Sequence, residues 1–357
     1  MKIKSHNDLL KIKSIYNQSI QSIEIDLKNF KKNNLFRHAL KYSFHYLKIG
    51  GKIKITDSSF LKNMKKNNFT WWISRKEIFK TLENQIKCLE LDRDRIVFEK
   101  IDDKKYISNG ISVGIVFSGN INEEESLIQC LNAIHESSKK LSQNNIEVII
   151  SGPSSYDCSK VMNLFDLLKI KYLICDDIVV NKRILICKKK NLIFENSHYS
   201  SVVIMHTRIN LAEDFLMNLL NKKFDIISPK VFFRKENRDF DYLSIQFVKN
   251  YFTFFYSAFT PDQFNGSYLK LFKNNLPYID GGIVIINKNL FENFLPFNDH
   301  LAWEEAEDVE MSSMAYARGM LVDFHEDLKC FSQTEKYNTK KNFFQKFSNF
   351  FLKFLRI

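Results

Sequence analysis

From Gly110 onward the chain alternates buried strand, small polar turn and amphipathic helix, and this alternation most narrows what it can fold into. Ile111-Ser112-Val113-Gly114-Ile115-Val116-Phe117 reads as a buried strand ending at Ser118-Gly119-Asn120. Residues 123–141 follow as an amphipathic helix, with Leu127, Leu131, Ile134 and Leu141 on one face and acids in the first turn. Residues 146–150 form the next strand, ending in Ser151-Gly152-Pro153-Ser154-Ser155. Further strands are expected at 171–175, 202–205 and 282–286. Such a pattern predicts an open α/β sheet whose ligand lies along the carboxyl edge of the strands.

Residues 1–108 read as a separate, smaller α/β module. Ser22-Ile23-Glu24-Ile25-Asp26-Leu27 is a candidate strand, and residues 34–47 carry an apolar helical stripe through Leu35, Phe36, Ala39, Leu40, Phe44 and Leu47. Gly50-Gly51 marks a turn, and Lys52-Ile53-Lys54-Ile55-Thr56-Asp57 alternates like a strand. Residues 75–89 read as helix and 95–100 as strand. The polar run Asp102-Asp103-Lys104-Lys105 then suggests a boundary, giving units at 1–108, 109–335 and 336–357.

Composition removes several classes. The 357 residues include only 10 Gly and 5 Pro, against 33 Phe, which excludes collagen-like and Pro/Gly-rich disordered chains. No run of about 18 uncharged apolar residues exists, so no membrane-spanning helix is expected. The N-terminus leads into no apolar segment, so no secretory signal is expected. The six cysteines form no CxxC pair and several lie in apolar runs, as in a reduced, cytosolic protein. A net charge of +12 raises nucleic acid as a partner, but acids and bases interleave outside the tail, and Lys, Asn, Ile and Phe are the residues of A/T-rich codons. Nucleic acid is not expected.

Two segments carry chemistry by residue type. Glu304, Glu305, Glu307, Asp308 and Glu310 place five carboxylates in seven positions, leading into a helix expected at 311–318. An acidic helix start alone would complement the macrodipole. Trp303 just before it, and Gly281-Gly282 about twenty residues upstream, fit a sugar platform and a close backbone approach instead. A carboxylate there can take the proton of an attacking hydroxyl. At the sheet edge, Ile204-Met205-His206-Thr207-Arg208 offers no acid. Lys188-Lys189-Lys190 is a solvated charge run or a phosphate contact. Asp176-Asp177 is most simply a solvated loop, as is Arg234-Lys235-Glu236-Asn237-Arg238-Asp239, and the aromatic run 247–259 is most simply packing.

With its opening strand–helix unit, the loop Ile149-Ile150-Ser151-Gly152-Pro153-Ser154-Ser155-Tyr156-Asp157, the pair Tyr278-Ile279-Asp280-Gly281-Gly282 and the acidic run after Trp303, the region 110–332 resembles glycosyltransferases of the Rossmann-like GT-A fold, family 2 in particular. The resemblance implies a nucleotide-sugar donor and a glycan or glycolipid acceptor. It places Asp308 as general base beside Glu307. Ser118, Gly152, Ser154, Asp157, Lys190, His206 and Arg208 would bind the donor, and Gly281, Gly282, Trp303, Glu304 and Glu305 the acceptor. Such enzymes usually hold a divalent cation, Mg or Mn, on an Asp-x-Asp pair. Here His206-Thr207-Arg208 occupies that place, which leaves two readings: Arg208 with a lysine of 188–190 neutralises the phosphates, or His206 and His325 hold the metal.

The order of helix, Leu47-Lys48-Ile49-Gly50-Gly51-Lys52, strand, helix and strand resembles the C-terminal half of a class I methyltransferase. No glycine precedes residue 50, so the cofactor loop of that family is missing and S-adenosylmethionine is not expected.

In the last twenty residues six Phe and five cations sort onto a helical pattern, with Phe343, Phe347, Phe350, Phe351 and Phe354 on one face and no acid among them. Such a helix suits an anionic bilayer surface or docks on its own domain. The sequence thus suggests a cytoplasmic glycosyltransferase, peripheral on the inner face of a bacterial cytoplasmic membrane through 338–357, building capsule or lipooligosaccharide. An inactive scaffold at the membrane is the alternative, with methyl transfer a more distant one.

Overall fold

The computed structural model describes residues 1–13, 20–27, 30, 35–56, 76–92, 95–141, 145–180, 183–235, 238–241, 245–248, 269–272, 275–301 and 305–334. The tail at 338–357, Trp303 and Glu304 lie outside the described residues.

The first module opens with β1 (Lys2–Ile3), α1 (His6–Lys13), β2 (Ile20–Asp26), α2 (Leu35–Tyr46) and β3 (Leu47–Thr56). It closes with β4 (Ile86–Leu91) and β5 (Arg95–Lys100), in the sheet order β1-β2-β3-β5-β4. The first three strands run parallel and β5 opposes both β3 and β4. Period-two alternation drives the pairing: Ile23 faces Ile53 and Ile25 faces Ile55, all fully buried, while the lysines between them point away. The Gly50-Gly51 turn works as a bulge. Pairing jumps from Ile20–Leu47 to Ser22–Lys52 across it, Gly50 is left-handed at φ +77°, and a Cβ on Gly51 would lie 2.7 Å from Leu47 and 2.8 Å from the Lys48 carbonyl. The helix expected at 75–89 stops early. Residues 76–82 are helical, and β4 takes over at Ile86 because pairing with β5 outweighs weak local helical preference.

The second module holds β6 (Ile111–Val116), α3 (Ile121–Ser138), β7 (Ile146–Gly152), α4 (Ser159–Leu164) and β8 (Ile170–Ile174). A two-stranded ribbon, β9 (Val179–Val180) with β10 (Arg183–Ile184), leads to α5 (Ile186–Asn196), β11 (Ser201–His206), β12 (Ile209–Leu211) and α6 (Phe215–Leu220). Next come β13 (Ile226–Lys235), β14 (Arg238–Asp241), β15 (Ile245–Val248), α7 (Leu269–Phe272), β16 (Leu276–Ile279), β17 (Ile283–Asn287), α8 (Glu307–Ala317) and β18 (Val322–Ser332).

Its main sheet runs β12-β18-β13-β17-β11-β6-β7-β8, with β14 off β13. Strands β11, β6, β7 and β8 are parallel and β17 opposes β11, so the sheet is mixed. Both faces are covered. Val203 and Met205 pack with α3 and α6 on one side, while Val202 and Ile204 pack with α5 and α8 on the other. Helix α5 lies so close that a Cβ on Gly114 would sit 2.1 Å from Ile193. One stretch read as loop is in part strand: Arg234 and Lys235 end β13, and Arg238 and Asp239 begin β14, which pairs with it at the sheet's margin; Phe247 lies buried in β15. Edge strands carry charges that block further pairing, which makes them read as solvated loop.

The polar run at 102–105 is no solvated linker. Asp103 is buried and pairs with Lys100 at 3.2 Å and with Lys223. Lys100 also donates to the Phe44 and Leu47 carbonyls at the end of α2. Helix α2 is tied to the second module by several bonds. Arg37 donates to the Tyr316 and Met320 carbonyls, Lys41 meets Asp225 at 2.9 Å, and Tyr42 donates to Asp323 at 2.6 Å. Leu321, Phe324, Ile245, Phe247, Leu269 and Phe272 complete the first module's hydrophobic core.

Candidate active site at the carboxyl edge of the sheet

Strands β6, β7 and β11 end side by side, and their loops form one edge. Glu123, in the first turn of α3, ties it together. Its carboxylate accepts from the Ser118 N–H at 3.1 Å, from the Ser118 hydroxyl and from the Thr207 hydroxyl. Gln333 clamps the turn after β11 from the other side. Its backbone N–H donates to the Arg208 carbonyl at 2.8 Å and its side-chain amide to the Thr207 carbonyl at 3.2 Å. The His206 N–H reaches the Gly282 carbonyl at 3.1 Å, joining this turn to the one between β16 and β17.

The acidic helix start lies under that second turn. Helix α8 begins at Glu307, four residues before the expected 311, because Ala306 turns the chain in a left-handed conformation (φ 60°) without a capping side chain. Asp308 accepts from the Gly281 N–H at 3.2 Å and from the Val309 N–H at 2.8 Å. Glu307 is buried and faces Lys190 of α5 at 3.3 Å, and Lys190 also donates to the Gly281 carbonyl at 3.3 Å. Burial pushes the Asp308 carboxyl up to about 6, helped by the negative charges of Glu307 and Asp280 and partly offset by Lys190. A carboxyl of that affinity is still ionised at neutral pH and a far better proton acceptor than an ordinary aspartate.

Charged side-chain ends close in on the two glycines. A Cβ on Gly281 would lie 3.0 Å from Glu307 and 3.1 Å from Lys190, and one on Gly282 would lie 2.6 Å from Nη2 of Arg208. The guanidinium of Arg208 thus lies against Gly282. Its Nε and Nη2 are buried and make no hydrogen bond with the described residues.

The site residues expected from sequence divide. Asp308, Glu307, Gly281, Gly282, Arg208 and His206 come together. Ser118 and Gly152 end β6 and β7 on the same edge, and a Cβ on Gly152 would strike Tyr172 at 2.4 Å. Ser154 is exposed and bound to Asp176 at 2.7 Å, while Asp157 accepts from the Ser159 N–H at the start of α4. Glu305 is exposed next to Ala306. Lys190 does not reach for a donor phosphate: it is buried beneath the 281–282 turn, paired with Glu307. Lys189 is equally engaged, by Asp177 at 2.6 Å and the Phe117 carbonyl at 2.8 Å. Asp280, Glu123 and Gln333 were not singled out by sequence. The first stands in the same motif as Gly281-Gly282, whereas the other two reach the edge only through the fold.

The paired-histidine reading is corrected by the topology. His206 ends β11, whereas His325 lies on β18, three strands away across β17 and β13. At ~4.8 Å per strand that is roughly 14 Å, too far for one ion. The His325 nitrogens face Asp323 at 3.4 Å and Asp327 at 3.7 Å. Among the described residues no group of three or more His, Cys, Asp or Glu side chains is arranged to hold a metal. Among the described residues, those at this edge do not fit a divalent cation.

No family model matches the sequence, and no curated protein matches it. Among solved structures, the chain is similar to S. aureus TarS 1-349 in complex with UDP-GlcNAc, at 12% identity, 65% of this chain, 61% of that one and a TM-score of 0.42. It thus spans less than two thirds of that TarS fragment. It is also similar to mannosyltransferase PcManGT from Pyrobaculum calidifontis in complex with GDP-Man and Mn2+ (12% identity, 91% of this chain and 76% of that one, TM-score 0.43). A third is GalNAc-T7 with UDP, GalNAc and Mn2+, at 11% identity over 66% of this chain and 45% of that one, TM-score 0.44. These TM-scores leave the functional reading to rest on the sheet order and the site.

Proposed function

We propose that the chain is a glycosyltransferase of the GT-A type. On this reading it moves a sugar from a nucleotide-sugar donor to a growing bacterial surface glycan, capsule or lipooligosaccharide, in one inverting displacement. The observation that carries it is Asp308: a half-buried carboxyl raised to about 6, held by the Gly281 N–H at the carboxyl edge of a Rossmann-like sheet. The acceptor oxygen attacks the anomeric carbon, its proton passes to Asp308, and the nucleoside diphosphate leaves with the electron pair of the broken bond. Gly281, Gly282, Trp303, Glu304 and Glu305 are the residues that the sequence assigns to the acceptor.

The basic, Phe-faced segment 338–357 would hold the enzyme on the inner face of the cytoplasmic membrane, near a glycolipid acceptor. The smaller module 1–108 would support the fold rather than transfer methyl groups, and calorimetry with S-adenosylmethionine should register no heat. The decisive experiment screens nucleotide sugars for transfer and compares Asp308→Asn. We expect the variant to bind donor like the parent while transfer falls by about 10²–10⁴-fold. Near-normal turnover would sink the assignment of the base. Lack of stabilisation by any nucleotide or nucleotide sugar in a thermal-shift screen would favour the inactive scaffold.

A further inference from the structure

Arg208 poses a question that the fold alone does not answer. A buried guanidinium that leaves donors unpaired is costly, and native structures rarely tolerate it without a partner. Here Nε and Nη2 are both buried and both without a hydrogen-bond partner among the described residues. These two nitrogens form one edge of the guanidinium, the edge that grips two oxygens of a single phosphate or carboxylate. The side chain is fixed for that task. Gln333 holds its carbonyl, Glu123 holds the neighbouring Thr207, and only a glycine at 282 leaves the plane room to lie where it does. Lys189 and Lys190, two of the three lysines that sequence placed at this edge, already satisfy Asp177 and Glu307.

We propose that the Nε–Nη2 edge of Arg208 seats the diphosphate of the donor and neutralises its departing charge in place of a divalent cation. This rests on the glycosyl-transfer reading. In the transfer step the bond between the anomeric carbon and the diphosphate oxygen breaks, and its electron pair stays on that oxygen. The negative charge grows there, and the fixed guanidinium stabilises it without reorganising. The acceptor proton goes to Asp308, so the new bond, the broken bond and the proton are all accounted for.

The test is calorimetric titration of the full chain with inorganic pyrophosphate, UDP and GDP, first in EDTA and then with Mn²⁺. At least one diphosphate should bind in EDTA, with affinity changed less than about threefold by Mn²⁺. Arg208→Gln should weaken that binding on the order of tenfold or more, the loss of a charge-assisted bidentate contact. Arg208→Lys, which keeps the charge and loses the fork, should fall between the two, and it decides the matter if the glutamine variant does not fold. Binding that requires Mn²⁺, or that survives unchanged in both variants, overturns the assignment of Arg208 and leaves glycosyl transfer standing. Absence of binding by every diphosphate with and without Mn²⁺ overturns both.

Discussion

Two parts of this molecule bury charge, and they treat it in opposite ways. Along the seam between α2 and the second module, buried charges are matched to partners. Asp225 alone accepts from Lys41, from the Tyr106 hydroxyl at 2.9 Å and from the Leu321 N–H at 2.7 Å. At the 281–282 turn, three carboxylates (Asp280, Glu307 and Asp308) crowd one another, Asp308 is driven toward protonation, and Arg208 keeps two donors unpaired. Ion pairs along the seam hold two modules in one arrangement, although Ser43 Oγ and His45 Nε2 there are buried without a hydrogen-bond partner among the described residues. A buried charge left without a partner retains free energy that a ligand can release. The paired charges of the seam read as structural, and the crowded turn is the proposed site.

The comparison breaks most easily through a pair of substitutions. Asp308→Asn should reduce transfer by about 10²–10⁴-fold, whereas Asp225→Asn should leave the chemistry of the folded fraction alone and cost about 3–5 kcal/mol of stability, because it strands Lys41 in the interior. Chemical denaturation separates the two effects. Asp308→Asn should go the other way in stability. A carboxyl whose folded affinity for protons is raised from 3.8 to about 6 makes folding less favourable as pH rises through that window. The penalty is absent below the lower value and complete above the upper one, about 2–3 kcal/mol. Asparagine escapes it but keeps only one of two accepted N–H bonds, leaving a gain of about 1 kcal/mol at pH 8. Loss of stability in that variant would mean the turn is built like the seam.

Titration sharpens the same contrast. Asp308 must be ionised to accept a proton, so kcat should fall with pH below about 6 and level off above it. Glu307→Gln removes a negative neighbour and frees the positive charge of Lys190, so the acid limb should move to lower pH. A limb that stays in place would assign it to another group. In the seam, His45 is fully buried beside Tyr106, and desolvation with the nearby Lys41 and Lys100 charges holds it well below its usual affinity. Its folded form binds fewer protons than the unfolded chain. Stability should therefore be complete above about 6.5 and fall by up to ~1.4 kcal/mol per pH unit beneath it. His45→Gln should flatten the pH dependence of the urea midpoint between pH 7 and 5.

The difference between the two regions also governs how far each was readable from sequence. The alternation from Gly110, the Gly50-Gly51 turn and the strands near 113, 148, 172, 203 and 284 follow from local pattern, and the structure places them there. The acidic run after 303 and the Gly281-Gly282 pair are likewise local, which is why their meeting could be anticipated. The seam was illegible. Asp103 and Asp225 are 122 positions apart in the chain, yet both are joined there through Lys41, Lys100, Tyr106 and Lys223, and an acid–lysine run looks the same whether it is solvated or buried. The same blindness cast Lys190 as a phosphate contact. A lysine's partner is set by the helix face it occupies, and α5 turns that face inward. Strands β13 and β18 were missed because interrupted pairing, with a register shift at Pro229–Lys230, leaves no clean alternation.

The smallest expected effect tests whether the turn also stores backbone strain. Ala306 holds φ 60° and ψ 40° immediately before Glu307 and Asp308, a conformation that costs a non-glycine residue roughly 1 kcal/mol. No side chain caps α8 there, so the left-handed residue sets the angle at which the two carboxylates enter the site. Ala306→Gly removes the Cβ that suffers the clash but gives the unfolded chain more freedom, by about 0.4–1 kcal/mol. The two terms nearly cancel, and the denaturation midpoint should move by less than about 0.5 kcal/mol in free energy. The same glycine placed at Ala315, buried in the last turn of α8, relieves no strain and leaves a gap, and should cost about 1 kcal/mol or more. Equal losses at the two positions would show that Ala306 carries no strain, and that the crowded charges are the turn's only departure from an ordinary helix start.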